Sequence, residues 1–211
     1  MKPVLLVEAS PRFGTSRSRM AAEKIIGRLA DVRPGLDVLR RDLVAEPLMP
    51  LDEAFTEAIY LAPPALSAAE REALAQSERL IEELEQSGTL IISTPMHNFT
   101  VPAVLKAWID QVLRLNRTFR STPSGKVGLL ADRPTYVVVS TGGAISGERA
   151  RQPDFLTPYL DAILRTLGIH TIRFLHLEAM PRGSDWPDEA ERQVQAWLDI
   201  HLPARTLLPA S

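Results

Sequence analysis

Residues 4–18 read VLLVEASPRFGTSRS, and this stretch decides the expected fold. The apolar residues Val4 to Val7 suit a buried strand, and a loop of hydroxyl and basic residues separates them from helical apolar spacing over Ser18 to Leu29. Similar apolar runs, with helical spacing between them, recur at Leu36–Leu39, Leu90–Ser93, Tyr136–Ser140 and Ile172–Leu177. The alternation predicts an α/β fold, a doubly wound five-stranded parallel sheet with helices on both faces.

The remaining helices are predicted from caps and apolar spacing. Ser67 and Glu70 form a capping box before an apolar face that continues to Gly88. Helical spacing also covers Val101 to Leu115, with Pro102 in the first turn, and about Asp188 to Ile200.

The length of 211 residues fits one domain over 1–211 with an insertion at about 43–66. The insertion contains Pro47, Pro50, Pro63 and Pro64. Leu51, Phe55 and Ile59 are spaced i, i+4, i+8 there and predict a short amphipathic helix, which either packs on its own domain or forms a subunit interface. The tail, with Pro203 and Pro209, is expected to fray.

Composition excludes several classes of function. Twenty-four Lys and Arg residues against 26 Asp and Glu residues give a net charge of −2, without the basic excess that nucleic-acid binding requires. The absence of cysteine excludes disulfides and thiolate metal sites, and the four histidines lack zinc-site spacing. No apolar stretch approaches the length of a membrane span. We therefore expect a cytoplasmic protein without a metal, a membrane or a nucleic-acid partner.

Ligands of a doubly wound sheet bind outside the carboxyl ends of the strands. After the first strand, Ser10, Ser16 and Ser18 precede a helix N-terminus, where free amides and the helix dipole favour a phosphate. The alternative is that Ser16 or Ser18 only caps the helix. The loop lacks the glycine patterns of dinucleotide-binding folds and of P-loops.

Two further strands end in candidate ligand loops. The third strand leads into residues 95–102, where Asn98, Phe99 and Met96 offer a carboxamide and apolar walls to a planar heterocycle. The fourth leads into residues 140–144, where Gly142 and Gly143 allow backbone amides to approach a ligand. Either loop could instead simply turn the chain.

Together these loops resemble the FMN-dependent NADH-azoreductases, which are flavodoxin-like quinone reductases. The resemblance rests on Ser10, Ser16 and Ser18 and on the motifs listed here: Pro95-Met96-His97-Asn98-Phe99, Leu105-Lys106-Ala107-Trp108-Ile109-Asp110, Thr118-Phe119-Arg120 and Ser140-Thr141-Gly142-Gly143. It continues through Thr157-Pro158-Tyr159-Leu160 and Leu167-Gly168-Ile169, so it covers nearly the whole chain.

The resemblance implies a flavodoxin-like fold and a homodimer with two FMN sites at the subunit interface. NADH or NADPH would reduce the enzyme, and quinones or azo compounds would reoxidise it. The cofactor-binding residues implied in this way are Ser10, Ser16, Arg17, Ser18, Pro95, Met96, His97, Asn98, Phe99, Ser140, Thr141, Gly142 and Gly143. Asn98 and His97 would assist the flavin, and Phe119, Thr166 and His176 would contact the substrate.

Four positions depart from the family pattern. Position 97 is commonly Tyr and is His here, Thr141 stands where Arg is frequent, and Ser121 and Thr166 occupy places where aromatic residues are expected. The departures imply a wider or more polar substrate pocket. Two other functions stay open: a flavodoxin-type electron carrier without NAD(P)H oxidase activity, and a binding module that has lost its cofactor.

Overall fold

Parallel strands form the main sheet of the computed structural model, which describes residues 2–61, 65–179 and 188–203. The strands are β1 (Val4–Glu8), β2 (Val38–Asp42), β3 (Thr89–Pro95), the hairpin strands β4 (Phe119–Thr122) and β5 (Gly125–Gly128), β6 (Thr135–Ser140) and β7 (Ile172–Leu177). Within the described ranges the main sheet has five strands in the order β2-β1-β3-β6-β7. The predicted doubly wound sheet is confirmed.

Helices cover both faces of this sheet. They are α1 (Arg17–Val32), α2 (Glu53–Ala58), α3 (Ala68–Gln86), α4 (Ala103–Val112), α5 (Leu156–Leu167) and α6 (Asp188–His201). One core cluster joins strand residues such as Leu5 and Ile92 to α3, α4 and α5. A second joins Leu6 and Ile91 to α1 and α6. Alternate residues of each central strand therefore enter opposite cores, which explains why these strands are continuously apolar.

The capping box predicted at Ser67 is present, because Glu70 N–H donates to the Ser67 hydroxyl at 3.3 Å and Ser67 N–H donates to the Glu70 carboxylate at 2.6 Å. Helix α4 is shorter than predicted, since Pro102 is its N-cap and the helix ends at Val112. The Thr118 hydroxyl donates to the Val112 carbonyl at 2.6 Å and so takes over an acceptor at the helix end.

The second strand begins later than the predicted Leu36–Leu39 and runs through Arg40 and Arg41. Apolarity was a poor guide here because β2 lies at the edge of the sheet, where its charged side chains pair across the surface. Arg40 forms an ion pair with Glu23 of α1 at 2.5 Å, and Arg41 pairs with Glu46 at 2.6 Å. Charged side chains also discourage further pairing at an exposed strand edge.

The predicted amphipathic helix in the proline-rich connection is α2. Phe55 and Ala58 are buried against Leu74 of α3, with Ile59 packed beside them, so this part of the stripe covers its own fold. The prediction was wrong for Leu51, which precedes the helix and is exposed. Asp52 caps α2 by accepting from Phe55 N–H at 2.8 Å. Pro63 and Pro64 lie outside the described residues, as does the tail that contains Pro209.

The β4–β5 hairpin and the boundaries of α5 were not predicted from apolar periodicity. The hairpin follows α4 and returns the chain to Leu130, whose N–H donates to the Leu167 carbonyl at 3.0 Å. Helix α5 ends at Leu167, and its C-cap Gly168 has φ +104°. The backbones at Gly128 and Gly168 touch so closely that neither glycine has room for a side chain. This contact joins the chain after β5 to the end of α5 at the amino end of the sheet.

Candidate functional site

Strand order reverses between β1 and β3, and the loops after β1, β3 and β6 meet there. Backbone hydrogen bonds fix the strand ends to one another. Ala9 N–H donates to the Ser93 carbonyl at 2.9 Å, and Met96 N–H donates to the Ser140 carbonyl at 2.9 Å. The structure therefore brings the three predicted loops together at the carboxyl end of the sheet.

The β1–α1 loop buries the three predicted serines, Ser10, Ser16 and Ser18. Ser16 is the N-cap of α1 and accepts from Arg19 N–H at 3.4 Å, while its hydroxyl lies 3.2 Å from that of Ser18. The capping alternative is thus realised for Ser16. The cap does not exclude a phosphate site, because the first turn of a helix carries several backbone amides without intrahelical partners. Arg17 is also buried at this helix start.

A charge cluster lies directly behind this loop. Arg19 forms ion pairs with Glu8 at 3.0 Å and with Asp42 at 2.7 Å. Burial raises the pKa of Glu8, and the Arg19 charge offsets part of that rise. Burial also opposes ionisation of Asp42, but hydrogen bonds from Arg19 and from two backbone amides leave the pKa of Asp42 below its ordinary value.

The β3–α4 loop makes a two-residue turn in which both central residues adopt left-handed backbone. Asn98 has φ +47° and Phe99 has φ +71°. His97 and Thr100 exchange N–H···O bonds of 2.9 and 3.0 Å on either side of them. Asn tolerates this conformation, whereas an aromatic residue with positive φ is a true outlier. The backbone at Phe99 is therefore strained, and strain of this kind is common at functional sites. In the part of the chain that the structure describes, the Asn98 and Phe99 amides donate no hydrogen bond.

The glycine loop after β6 is held from behind. Thr141 N–H donates to the Leu177 carbonyl at 2.9 Å, and the Thr141 hydroxyl donates to the Gly143 carbonyl at 2.6 Å. Thr141 is therefore turned into its own loop. Gly142 faces open space, where even a methyl group would meet no atom within 4 Å.

Glu178 anchors the far side of the same loop. Its carboxylate accepts from Ile145 N–H at 2.9 Å, from Ser146 N–H at 3.1 Å and from the Ser146 hydroxyl at 2.7 Å. Burial opposes ionisation of Glu178, but these hydrogen bonds leave the pKa of its carboxyl below the ordinary value. The Glu178 carboxylate thus fixes the loop that contains Gly142.

A cavity of about 510 Å³ adjoins the strained turn. Its lining includes His97 and Asn98 from the turn, Lys106 from α4 and Tyr159 from α5. Tyrosine is protonated at neutral pH and burial raises the pKa of Tyr159 further, so its hydroxyl can donate a hydrogen bond. Phe99 and Phe155 are 44% and 61% exposed, and Phe155 N–H donates to the Phe99 carbonyl at 3.0 Å.

The three predicted substrate residues do not gather at this cavity. His176 lies at the carboxyl end of β7, where its Nε2 is 2.9 Å from the Thr157 hydroxyl and its ring stacks on Phe174. Burial lowers the pKa of His176. Within one chain, Phe119 and Thr166 lie near the amino end of the sheet, away from the cavity, because α4 and α5 each run from the carboxyl end towards the amino end. Any contact of these two residues with the cavity of this site therefore requires a second chain.

Sequence reasoning missed Arg19, Asp42 and Glu178. Arg19 lies in the first turn of α1, where its positive charge is unfavourable to the helix dipole. This unfavourable position was the signal in the sequence that Arg19 pairs with carboxylates. Nothing local marks Glu178, since its partners are 32 and 33 residues away. Among the described residues, no three His, Cys, Asp or Glu side chains gather as a metal site. None of the described helices combines the length and the hydropathy that a membrane span requires.

Comparison with known proteins agrees with this geometry. A family model described as flavodoxin-like fold matches residues 2–200. The chain is 47% identical to FMN-dependent NADH:quinone oxidoreductase 4 of Pseudomonas fluorescens, over 99% of this chain and 96% of the relative. It is 46% identical to FMN-dependent NADH:quinone oxidoreductase 2 of Cupriavidus pinatubonensis, over 93% of this chain and 96% of the relative.

A crystal structure of an azoreductase from Bacillus anthracis superposes with a TM-score of 0.79 at 25% identity, covering 95% of this chain and 96% of that one. Sequence and structure relatives both extend over nearly the whole chain. The chain therefore belongs to the family of FMN-dependent NADH:quinone oxidoreductases with a flavodoxin-like fold.

Proposed function

We propose that this chain is an FMN-dependent NAD(P)H oxidoreductase that reduces quinones, azo compounds or both by two-electron hydride transfer in a ping-pong cycle. The observation that carries the proposal is the meeting of three loops at the β1/β3 strand ends, one suited to a phosphate and two suited to a planar ring. Bound FMN would supply the chemistry, by accepting a hydride from NADH or NADPH and passing two electrons to the acceptor.

The residues present fit FMN. Ser10, Ser16 and Ser18 provide buried hydroxyls beside the α1 N-terminus, and Arg17 adds a positive charge there. An anion at this place is favoured by the helix dipole as well as by hydrogen bonds.

The ring site would be built by the other two loops. Pro95, Met96, His97, Asn98 and Phe99 supply one wall, and Ser140, Thr141, Gly142 and Gly143 supply the other. Fixed backbone donors towards the ring stabilise the negative charge that a flavin gains on reduction, because they are already oriented. The strained turn holds the Asn98 and Phe99 amides without partners in the described chain, which suits that task.

The side chains at the turn assist rather than perform the reaction. The Asn98 carboxamide would orient the ring and the nicotinamide beside it. His97, at the cavity wall, would deliver a proton to the reduced acceptor. The cavity would receive the acceptor, and Lys106 and Tyr159 make its wall rich in hydrogen-bond donors.

We further propose that the enzyme is a homodimer with its sites at the interface, formed from one domain over residues 1–211 with an insertion at about 43–66. Exposed Phe99 and Phe155, whose backbones are joined by a hydrogen bond, support this, because exposed aromatic side chains are enriched at interfaces. The substrate roles of Phe119 and Thr166 then require a second copy at the crevice. Sedimentation of the purified protein at twice the monomer mass is the expected result. The cytoplasmic location stays a prediction.

The proposed activity is tested by adding FMN to the purified protein and recording the visible absorption spectrum before and after NADH, without air. We expect bound-flavin absorption that bleaches with NADH and returns when a quinone is added. Flavin absorption that persists with both NADH and NADPH would instead identify an electron carrier. Failure to bind flavin would overturn the proposal.

A further inference from the structure

Arg19 occupies an unusual place behind the serine loop. It lies in the first turn of α1, yet its guanidinium turns back and donates from Nε and Nη2 to the Ser10 carbonyl at 3.2 and 2.8 Å. Its Nη1 is 2.7 Å from Asp42 and 3.0 Å from Glu8. The side chain is only 11% exposed, and the Phe13 ring lies over the guanidinium at 5.0 Å.

The surroundings of Arg19 would repel a phosphate if Arg19 were absent. Glu8 and Asp42 place two carboxylates at the strand ends next to the proposed anion site. The Ser10 carbonyl oxygen, which also carries partial negative charge, belongs to the same loop. Arg19 satisfies all three groups at once, which uses the planar fork that lysine lacks.

The cluster also ties the loop to the edge of the sheet. Asp42 ends β2, and its Oδ1 accepts from Val44 N–H and Ala45 N–H at 3.0 Å each. Oδ2 is left for Arg19, so the carboxylate is fixed from both sides. A connected path of hydrogen bonds therefore runs from β2 through Arg19 to the backbone of Ser10.

We propose that Arg19, held by Asp42 and Glu8, is the positioning residue of the phosphate loop and sets the affinity of the protein for the phosphate of FMN. Arg19 acts through Ser10 and by neutralising the two carboxylates, since its own charge is already committed to ion pairs. This inference rests on the proposed function, because it assigns the FMN phosphate to this loop.

The experiment compares FMN with riboflavin, which has the same ring and lacks the phosphate. Fluorescence titration gives the dissociation constant of each flavin for the parent protein, Arg19→Met, Arg19→Lys and Asp42→Asn. Arg28→Met is the matched control, because Arg28 lies on the same helix, is also 11% exposed and pairs with Asp199 at 3.1 Å, away from the loop.

We expect Arg19→Met to weaken FMN binding at least about tenfold, as for other losses of one partner from a buried charge cluster, and to change riboflavin binding less than about twofold. Arg19→Lys keeps the charge without the fork and should restore part of the FMN affinity. Asp42→Asn should change FMN affinity less than Arg19→Met does, because it frees one bond of Arg19 but also removes a negative charge near the proposed anion site. Arg28→Met should bind both flavins like the parent.

An equal loss of affinity for both flavins would mean that Arg19 only supports the fold, and unchanged FMN affinity would mean that the loop needs no positioning; either result overturns the inference. If Arg19→Met does not fold, Arg19→Lys decides by the same ratio of the two flavins. If the parent itself binds neither flavin, the proposed function fails together with this inference, so the two failures are distinguishable.

Discussion

The two ends of the parallel sheet are built in opposite ways. At the amino end, the buried Arg133 donates to the carbonyls of Leu84 and Ser87 and so closes the last turn of α3. Asp132 accepts from the amides of His170 and Thr171 at 2.8 and 3.0 Å, which ties β7 to the strand before it. The groups of Arg133 and Asp132 thus have partners within the fold.

The carboxyl end leaves comparable groups open. Phe99 adopts strained backbone, the backbone amides of Asn98 and Phe99 donate no hydrogen bond within the described chain, and Gly142 faces open space. The comparison teaches that the amino end stabilises the fold, while the carboxyl end keeps donors and strain available for a ligand. Substitutions at the two ends should therefore separate stability from flavin-dependent activity.

The largest effect is expected for Gly128→Ala at the amino end. A methyl group there would overlap the backbone of Leu167 and Gly168, which cannot move independently of α5. We expect the free energy of unfolding to fall by about 4 kcal/mol or more, which denaturant titration would measure. The control is Gly27→Ala in α1, where a methyl group meets nothing within 4 Å and should stabilise the helix by about 0.5–1 kcal/mol. Equal stability of the two variants would contradict the close contact.

Arg133→Met should have the next largest effect. It leaves the carbonyls of Leu84, Ser87 and Ala131 without their buried donor, at an expected cost of about 2–4 kcal/mol in unfolding free energy. Below the unfolding transition, the flavin-dependent rate per folded molecule should match that of the parent. A lower rate in fully folded protein would show that the two ends are coupled.

Ser16→Asp separates the capping and phosphate roles of Ser16 at the carboxyl end. Aspartate caps a helix as well as serine does, so unfolding free energy should change by less than about 0.5 kcal/mol. The added negative charge should weaken FMN binding by about tenfold, since Ser16 belongs to the proposed phosphate site. Unchanged FMN affinity in a titration would mean that Ser16 is only a cap.

No loss of stability is expected for Phe99→Gly. Asn-Gly is the preferred sequence for a two-residue turn with positive φ at both positions, so stability should stay equal or rise by up to about 1 kcal/mol. Anaerobic reduction of the flavin by NADH should nevertheless slow, because the flavin ring loses the apolar wall that we propose Phe99 provides. A variant that is both less stable and fully active would reverse the comparison.

Much of the carboxyl end was predictable from sequence because its loops follow apolar strands and carry recognisable residues. The positions of Ser10, Asn98 and Gly142 followed from the rule that parallel strands present their carboxyl ends together. Family resemblance then supplied the cofactor, which composition and periodicity did not.

What could not be predicted depends on partners that are distant in sequence. The Arg19–Asp42 pair spans 23 residues, and the Glu178 anchor spans more than 30. Strand β2 was placed too early because an edge strand tolerates charged residues, and the hairpin was missed because its strands are only four residues long. The left-handed Phe99 was unpredictable, since this residue type disfavours that conformation.

The most direct test of the account is a crystal structure of the protein with FMN bound. We predict the phosphate among Ser10, Ser16 and Ser18 at the α1 N-terminus, and the ring between the Asn98–Phe99 turn and the Gly142 loop, with the amino end of the sheet unchanged. A flavin bound at any other place, or a phosphate that does not contact these serines, would contradict the assignment of the carboxyl end as the active site.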